Sequence, residues 1–415
     1  MLIKRPFFDI IKKFFGGFMT NKEEYLRKII EIACKDSDTI IVYSDSNLDN
    51  VRDTFLKLKE DYHLKQLIFY EMDHKKLYEF FKTNPTEKEI RERVFKIPEI
   101  TDPDRTKIIY NYPDDYEGYV GKLNKEYRDK YDFFYDQHAL VNKKFWELYD
   151  TIDHMVLTII PDNIWAKYTL GSKRKEGKLW ELVNKTVPPI DEFNDYQKRM
   201  NEIKEYLQKS KIKNLRFHTS LGTDFQIGLT RRSIWLIEPE LIDGKYCYAN
   251  FPSYEIYTSP DCYSASGKIV MSRPCLYFGR PVNQGEFEFN KGLCTKIDTD
   301  CSFFNRHVSK DKFHLNRIGE IALVSSDSPV AKLNQNFNSL LLDENAGCHF
   351  ALGDSINECI DLDQTDLEET DKKKYHFNVS KYHYDLVFGD DSVSVEADLG
   401  NNKKVLLLEN GIWKI

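Results

Sequence analysis

No two of the eight cysteines stand three residues apart, so the chain has no C-x-x-C pair of the kind that marks a zinc ribbon or a thioredoxin-like motif. Eight thiols among 415 residues are also too few for a disulfide framework, and reduced cysteines in a cytoplasmic protein are the simplest reading. Long apolar runs are missing too. None approaches the roughly 20 residues that span a bilayer, and the N-terminus lacks the uninterrupted apolar core of a signal peptide. Basic residues are outnumbered, 60 Lys and Arg against 67 Asp and Glu for a net charge of −7, which argues against nucleic acid as a partner because phosphate binding needs clustered cations. No glycine-rich turn follows the first apolar strand, so a G-x-G-x-x-G dinucleotide site is not supported. Small or peptide ligands remain.

Hydrophobic residues make up 41% of the chain and aromatics 14%, enough apolar surface to fold, and the length accommodates two domains. Asp38 to Tyr43 reads as a buried strand, Asn47 to Tyr62 as a helix and Gln66 to Tyr70 as the next strand, which together make one βαβ unit. Lys75 to Phe81 and Glu87 to Phe95 read as helices, and His154 to Ile160 as a further strand of that sheet. Residues 100–150 have no clear period. From Ile190 to Ser210, Phe193, Tyr196, Met200, Ile203 and Leu207 line one face of a long charged helix, and beyond it short alternating segments punctuated by Gly, Pro, Asp and Asn indicate β structure. The expected architecture is an α/β N-terminal domain (1–210) and a β-rich α+β C-terminal domain (211–415). Within residues 1–18, Phe7, Ile11, Phe14 and Phe18 recur at helical spacing beside Lys4, Arg5, Lys12 and Lys13. This amphipathic leader reads as a membrane-surface helix, a packed terminal helix or a segment ahead of a second start at Met19.

Chemistry concentrates in four segments of the C-terminal half. Leu341 to Gly353 sets Glu344 and His349 among apolar residues; Asn378 to Asp385 adds His383 and Asp385, spaced so that an extended backbone aims both the same way. Glu255 is the only carboxylate between Pro252 and Pro260, and Glu320 enters the apolar stretch Ile318 to Val324, where an uncompensated charge is costly. Singly, each has a plainer reading: a strand-end surface residue for Glu255, a partner to a buried Arg for Glu320, a satisfied core histidine for His349, an exposed edge pair for His383 and Asp385. Together, four carboxylates and two neutral imidazoles balance two divalent cations, the make-up of a two-metal site with ions about 3.5–4 Å apart. Such ligands suit Zn, Co or Mn better than Ca, and the absence of thiolates argues against a structural zinc. The chemistry expected of it is hydrolysis.

These segments carry a resemblance. The run Gly222-Thr223-Asp224, Trp235, Asn250-Phe251-Pro252 to Glu255, Thr258-Ser259-Pro260-Asp261, Gly319-Glu320, Ser328-Pro329, Leu342 to Ala346 with His349, Asn378 to Asp385 and Gly411-Ile412-Trp413 is similar to the thermophilic aminopeptidase family of dinuclear metallopeptidases, the group including aminopeptidases S and T. The resemblance covers roughly 214–415 and thins upstream to Pro161 to Ala166 and Leu179-Trp180-Glu181. It implies metal ligation by Glu255, Glu320, His349, His383 and Asp385, with Glu344 as a further ligand or a group behind the ligands. It further implies a homodimer, an active site facing an enclosed cavity, and short peptides as substrates.

Two departures stand out. The family usually places a tyrosine seven positions after the histidine of this run, where this chain has Ile356, and it tends to pair glutamates where Tyr254-Glu255 keeps only the second. A phenol donates to an oxyanion and isoleucine cannot, a loss worth about 3 kcal/mol of barrier. Alternation points Tyr382 and Tyr384 away from His383 and Asp385, which leaves Tyr257, on the face of Glu255, as the replacement. The resulting expectation is a metal-dependent aminopeptidase in which Glu320 or Glu344 moves protons; since Glu320 serves equally as a bridging ligand, Glu344 is the preferred base. The alternatives are a specialised amide hydrolase or peptide-tailoring enzyme on the same fold, and a non-catalytic dimeric binding protein.

Overall fold

The computed structural model describes residues 19–151, 153–242, 245–310, 314–362 and 367–415; the amphipathic leader expected within 1–18 lies outside them. The N-terminal part is built on a four-stranded parallel sheet in the order Gln66–Glu71, Thr39–Ser44, Thr106–Asn111, Met155–Thr158. All six residues of Thr39–Ser44 are buried, as expected for a central parallel strand covered by helices on both faces. The βαβ unit runs through the helix Asp49–Asp61, and the helices His74–Lys82 and Glu87–Arg93 lie where the apolar spacing put them. Residues 100–150, aperiodic in sequence, hold the third strand and the helices Tyr119–Glu126, Arg128–Val141 and Lys143–Tyr149.

The helix Ile190–Ser210 buries Phe193, Met200, Ile203 and Leu207 and leads into the β-rich part. There an eight-stranded antiparallel sheet packs against a five-stranded one, whose order is His383–Val387, His349–Gly353, Ile318–Val324, Glu255–Thr258, Leu236–Ile237. Ile256, Ile321, Leu323, Phe350, Leu352 and Leu386 of the five-stranded sheet share a core with Phe217, Phe225, Ile269 and Phe287 of the larger one. A second core crosses between the two parts of the chain, joining Tyr25, Trp165 and Trp180 to Phe251, Tyr254, Phe337 and Leu342. Direct bonds reinforce it: Trp165 Nε1 donates to the Phe337 carbonyl (2.7 Å), and the Tyr116 hydroxyl to that of Asn338 (2.7 Å). Within the helix Glu369–Lys374, Lys372 is buried and bonds Asp354, the Ser355 carbonyl and Asn357. Among the described residues no helix is long and apolar enough to cross a membrane, and no disulfide joins any two of the eight cysteines.

Candidate metal centre

The register of the five-stranded sheet places the candidate residues on one face. Tyr257 lies opposite Ala322, Ala322 opposite His349, Glu320 opposite Ala351, Ala351 opposite Asp385 and Gly353 opposite His383. Residues directly opposite in an antiparallel ladder share a face, as do residues two apart along one strand. Glu255, Tyr257, Glu320, His349, His383 and Asp385 therefore all project from the side of the sheet away from the apolar core. The residues at the middle of these rows, Ala322 and Ala351, carry only a methyl group.

Glu320 stands at the centre. Its Oε1 lies 4.0 Å from His349 Nε2, which is 2.9 Å from Glu255 Oε2; its Oε2 lies 2.9 Å from His383 Nε2, which is 3.3 Å from Asp385 Oδ1. Two three-residue groups result, Glu255–Glu320–His349 and Glu320–His383–Asp385, each with ligand atoms within 4.8 Å of one another and both including Glu320. A carboxylate with one oxygen turned to each group has the geometry of a bridging ligand.

The outer nitrogens of the imidazoles are fixed by backbone. His349 Nδ1 faces the Gly347 carbonyl at 3.3 Å and His383 Nδ1 the Asp354 carbonyl at 2.9 Å; a carbonyl only accepts, so each Nδ1 carries the proton. Each Nε2 then presents its lone pair to carboxylate oxygens, an arrangement that needs a cation or an added proton between them. Without a metal ion the second solution applies. Burial pushes His349 down, but Glu255 and Glu320 outweigh it and raise it to about 10, and Asp385 and Glu320 likewise overcome burial at His383. Burial holds Glu320 high, and Asp385 is low because His383 overcomes its burial. Glu255 Oε2 and Asp385 Oδ1 are buried and face these imidazole nitrogens. Buried carboxylate oxygens aimed at imidazole nitrogens fit divalent metal ions, with no thiolate in either group.

Glu344 belongs to neither group but lines the same cavity of about 330 Å³. It is buried, and its carboxyl is held well above the usual range by burial first and then by Glu255 and Asp385. The next residue, Asn345, fixes its turn by donating to the Leu341 carbonyl (2.9 Å) and accepting the Tyr254 backbone N–H, which ties it to the start of the Glu255 strand. Tyr257 and Ile356 line the cavity side by side in one small apolar cluster, and the Tyr257 hydroxyl reaches Glu238 Oε1 at 3.4 Å. Tyr384 packs instead on Tyr277.

Three carboxylates of this cavity, Glu238, Glu240 and Glu358, escaped the sequence reading. Glu238 and Glu240 flank Pro239 after an apolar pair, a signal of the same kind as the prolines around Glu255; Glu358 lies in a short 3-10 turn that no pattern marks.

The model of the thermophilic metalloprotease (M29) family matches residues 146–413, a span containing every residue of both groups. The chain belongs to this family. Among curated M29 relatives it is 25% identical over 267 residues to aminopeptidase 2 of Geobacillus stearothermophilus, covering 62% of this chain and 64% of that protein. It is 27% identical over 263 residues to aminopeptidase T of Thermus thermophilus, covering 60% and 63%. The chain thus spans a little under two thirds of the length of the curated relatives it matches. The structure of wild-type AmpT from Thermus thermophilus superposes with a TM-score of 0.75 at 20% identity, over 95% of this chain and 99% of that one, which establishes a shared fold. Divalent metal use follows for this M29 chain from the family and from the two ligand groups.

Proposed function

We propose that this chain is a metal-dependent aminopeptidase that releases N-terminal residues from short peptides at a two-metal site. The observation that carries the reading is Glu320, whose two carboxylate oxygens face different ligand groups. Glu255 and His349 would hold one ion and His383 and Asp385 the other, with Glu320 between them and Zn, Co or Mn as the metals that suit these ligands. Bound there, the ions would supply a water of lowered pKa and polarise the scissile carbonyl.

The remaining steps belong to the protein. Glu344, buried beside the ligands and held high, takes the proton of the attacking water and returns it to the leaving amine. Tyr257 donates its hydroxyl proton to the oxygen on which charge develops, the role that Ile356 cannot fill. We further propose domains of 1–210 and 211–415, a cytoplasmic location and a homodimer, the last two on composition and the family likeness respectively.

The experiment is metal analysis of the purified chain together with turnover of a panel of aminoacyl amides after loading with Zn, Co or Mn, beside Glu255→Ala and His349→Ala. Two ions per chain and turnover lost in both variants are expected. Inactivity with every metal would overturn the reading. Ile356 in the cavity wall favours one second reading, a narrower amide hydrolase, which would bind two ions per chain yet leave simple aminoacyl amides untouched.

A further inference from the structure

The metal-site cavity is charged well beyond what its ions require. Seven of its lining side chains are carboxylates and none is Lys or Arg. Glu255, Glu320, Glu344 and Asp385 suffice for two divalent cations, which leaves Glu238, Glu240 and Glu358 without a counter-charge in the cavity wall. Their exposure is graded: Glu358 is exposed, Glu240 is half-buried, and Glu238 is only 4% exposed. Burial first, and then the neighbouring carboxylates, raise the inner two: Glu358 acts on Glu240, and Glu240 and, from the metal side, Glu255 act on Glu238. Lys204 acts on Glu240 but does not line the cavity. A line of carboxyl groups thus runs from solvent to the candidate ligands, anchored at its inner end by the Ala249 N–H, which donates to Glu238 Oε2 at 2.9 Å.

A neighbouring cleft is different. His383 also lines a space of about 1340 Å³ between the carboxyl ends of the parallel strands and the C-terminal part, where Lys75, Arg93, Lys173 and Lys381 mix with acidic residues. The small cavity, of one sign, and the large cleft, of both, meet at one candidate ligand. At about 330 Å³ the small cavity is at the lower end of ligand-pocket sizes and suits a single residue, whereas the cleft has room for the rest of a peptide. Glu255 and Asp385, whose buried oxygens face His349 and His383, line the same small cavity.

We propose that Glu238, Glu240 and Glu358 form the specificity wall for a cationic first residue, so that peptides beginning with Lys or Arg are preferred. This rests on the aminopeptidase reading. One α-ammonium answers one of the three charges, and a basic side chain answers a second, whereas a neutral side chain would leave desolvated carboxylates unpaired.

The test is calorimetric titration of the zinc-loaded full chain with the free amino acids L-lysine, L-arginine and L-norleucine, which as products bind without turnover; norleucine matches the lysine chain but lacks its charge. Lysine and arginine are expected to bind at least tenfold more tightly than norleucine, and Glu240→Gln with Glu358→Gln should reduce that preference to below threefold. Glu358 is exposed, so Glu358→Gln alone, expected to weaken lysine binding while sparing norleucine, stays informative if the double variant fails to fold. Equal affinity for norleucine, a preference unchanged in the variants, or no binding of any of the three would overturn the proposal. Failure of the aminopeptidase reading would appear separately, as absence of turnover with every aminoacyl amide while the lysine preference persists.

Discussion

The parallel sheet of the N-terminal part and the five-stranded sheet of the C-terminal part are both deeply buried, yet they encode themselves in opposite ways. Thr39–Ser44 and Ile318–Val324 have every residue buried. In the first, apolar residues are needed on both faces, and any set of suitable size and branching satisfies the packing. In the second, one face supplies a core while the other supplies Glu320 and Ala322, and a one-residue slip would turn Glu320 into the core. The family model begins at residue 146, whereas the structural likeness to AmpT extends over 95% of the chain. The N-terminal part therefore keeps its fold by pattern, while the C-terminal part is specified residue by residue.

Glu320→Ala is the sharpest way to test that contrast. On the proposed two-metal reading, removing the carboxylate shared by both groups should take metal content from two ions per chain to fewer than one and lower turnover at least about 1,000-fold, roughly 4 kcal/mol of barrier. Metal-free stability should hold or rise, because one of several mutually repelling buried carboxylates is gone. Mass spectrometry for metal and thermal unfolding for stability read the two halves of the expectation. Collapse of the fold would mean that Glu320 is structural first.

Phe55→Ala is the converse. Phe55 is 1% exposed in the helix Asp49–Asp61 and packs edge-on against Phe69, so its truncation should cost about 3–5 kcal/mol of stability. Metal content per folded chain should not change. A lost ion in this variant would show that the two sheets are coupled through the core they share around Tyr254 and Leu342.

What could be read from the sequence follows the same division. The first two strands and the helix Ile190–Ser210 were legible because their apolar spacing is uninterrupted. The strand Thr106–Asn111 was not, because Arg105 and Lys107 break its apolar run. In Arg128–Val141 the apolar residues point both ways, Phe134 inward but Tyr135 and Leu140 to solvent, so no period emerges. At the site, alternation alone put His383 with Asp385 and Glu255 with Tyr257 on shared faces, and the register agrees. Glu238, Glu240 and Glu358 come from strand ends and a turn, where side-chain direction is set by tertiary contacts instead of a local period.

Tyr257→Phe sharpens the C-terminal half of the comparison at a smaller scale. Loss of the hydroxyl should lower turnover about 100-fold, roughly 2.7 kcal/mol, with metal content unchanged. Steady-state kinetics would place the loss in kcat, since the donor acts on charge that develops only during the reaction. Unchanged turnover would assign the hydroxyl to Glu238 alone, its partner at 3.4 Å.

The smallest effect belongs to the N-terminal part and concerns pH. His138 is buried, and its Nδ1 accepts from the Tyr70 hydroxyl at 2.9 Å and from Asn142 Nδ2 at 3.3 Å, so the neutral ring is the form that fits. Burial lowers its pKa from 6.5 to about 4. Between those values the unfolded chain binds a proton that the folded chain refuses, so stability present above pH 6.5 is lost as pH falls toward 4, by about 2 kcal/mol. His138→Gln keeps an acceptor for Tyr70 and cannot be protonated. Denaturant unfolding at pH 7.5 and 4.5 should therefore show a smaller difference in the variant than in the parent. An equal difference would show that His138 is not the source of the acid sensitivity; Asp45, held high by burial and bonded to Tyr110, works the other way, because a raised carboxyl takes up its proton first in the folded chain.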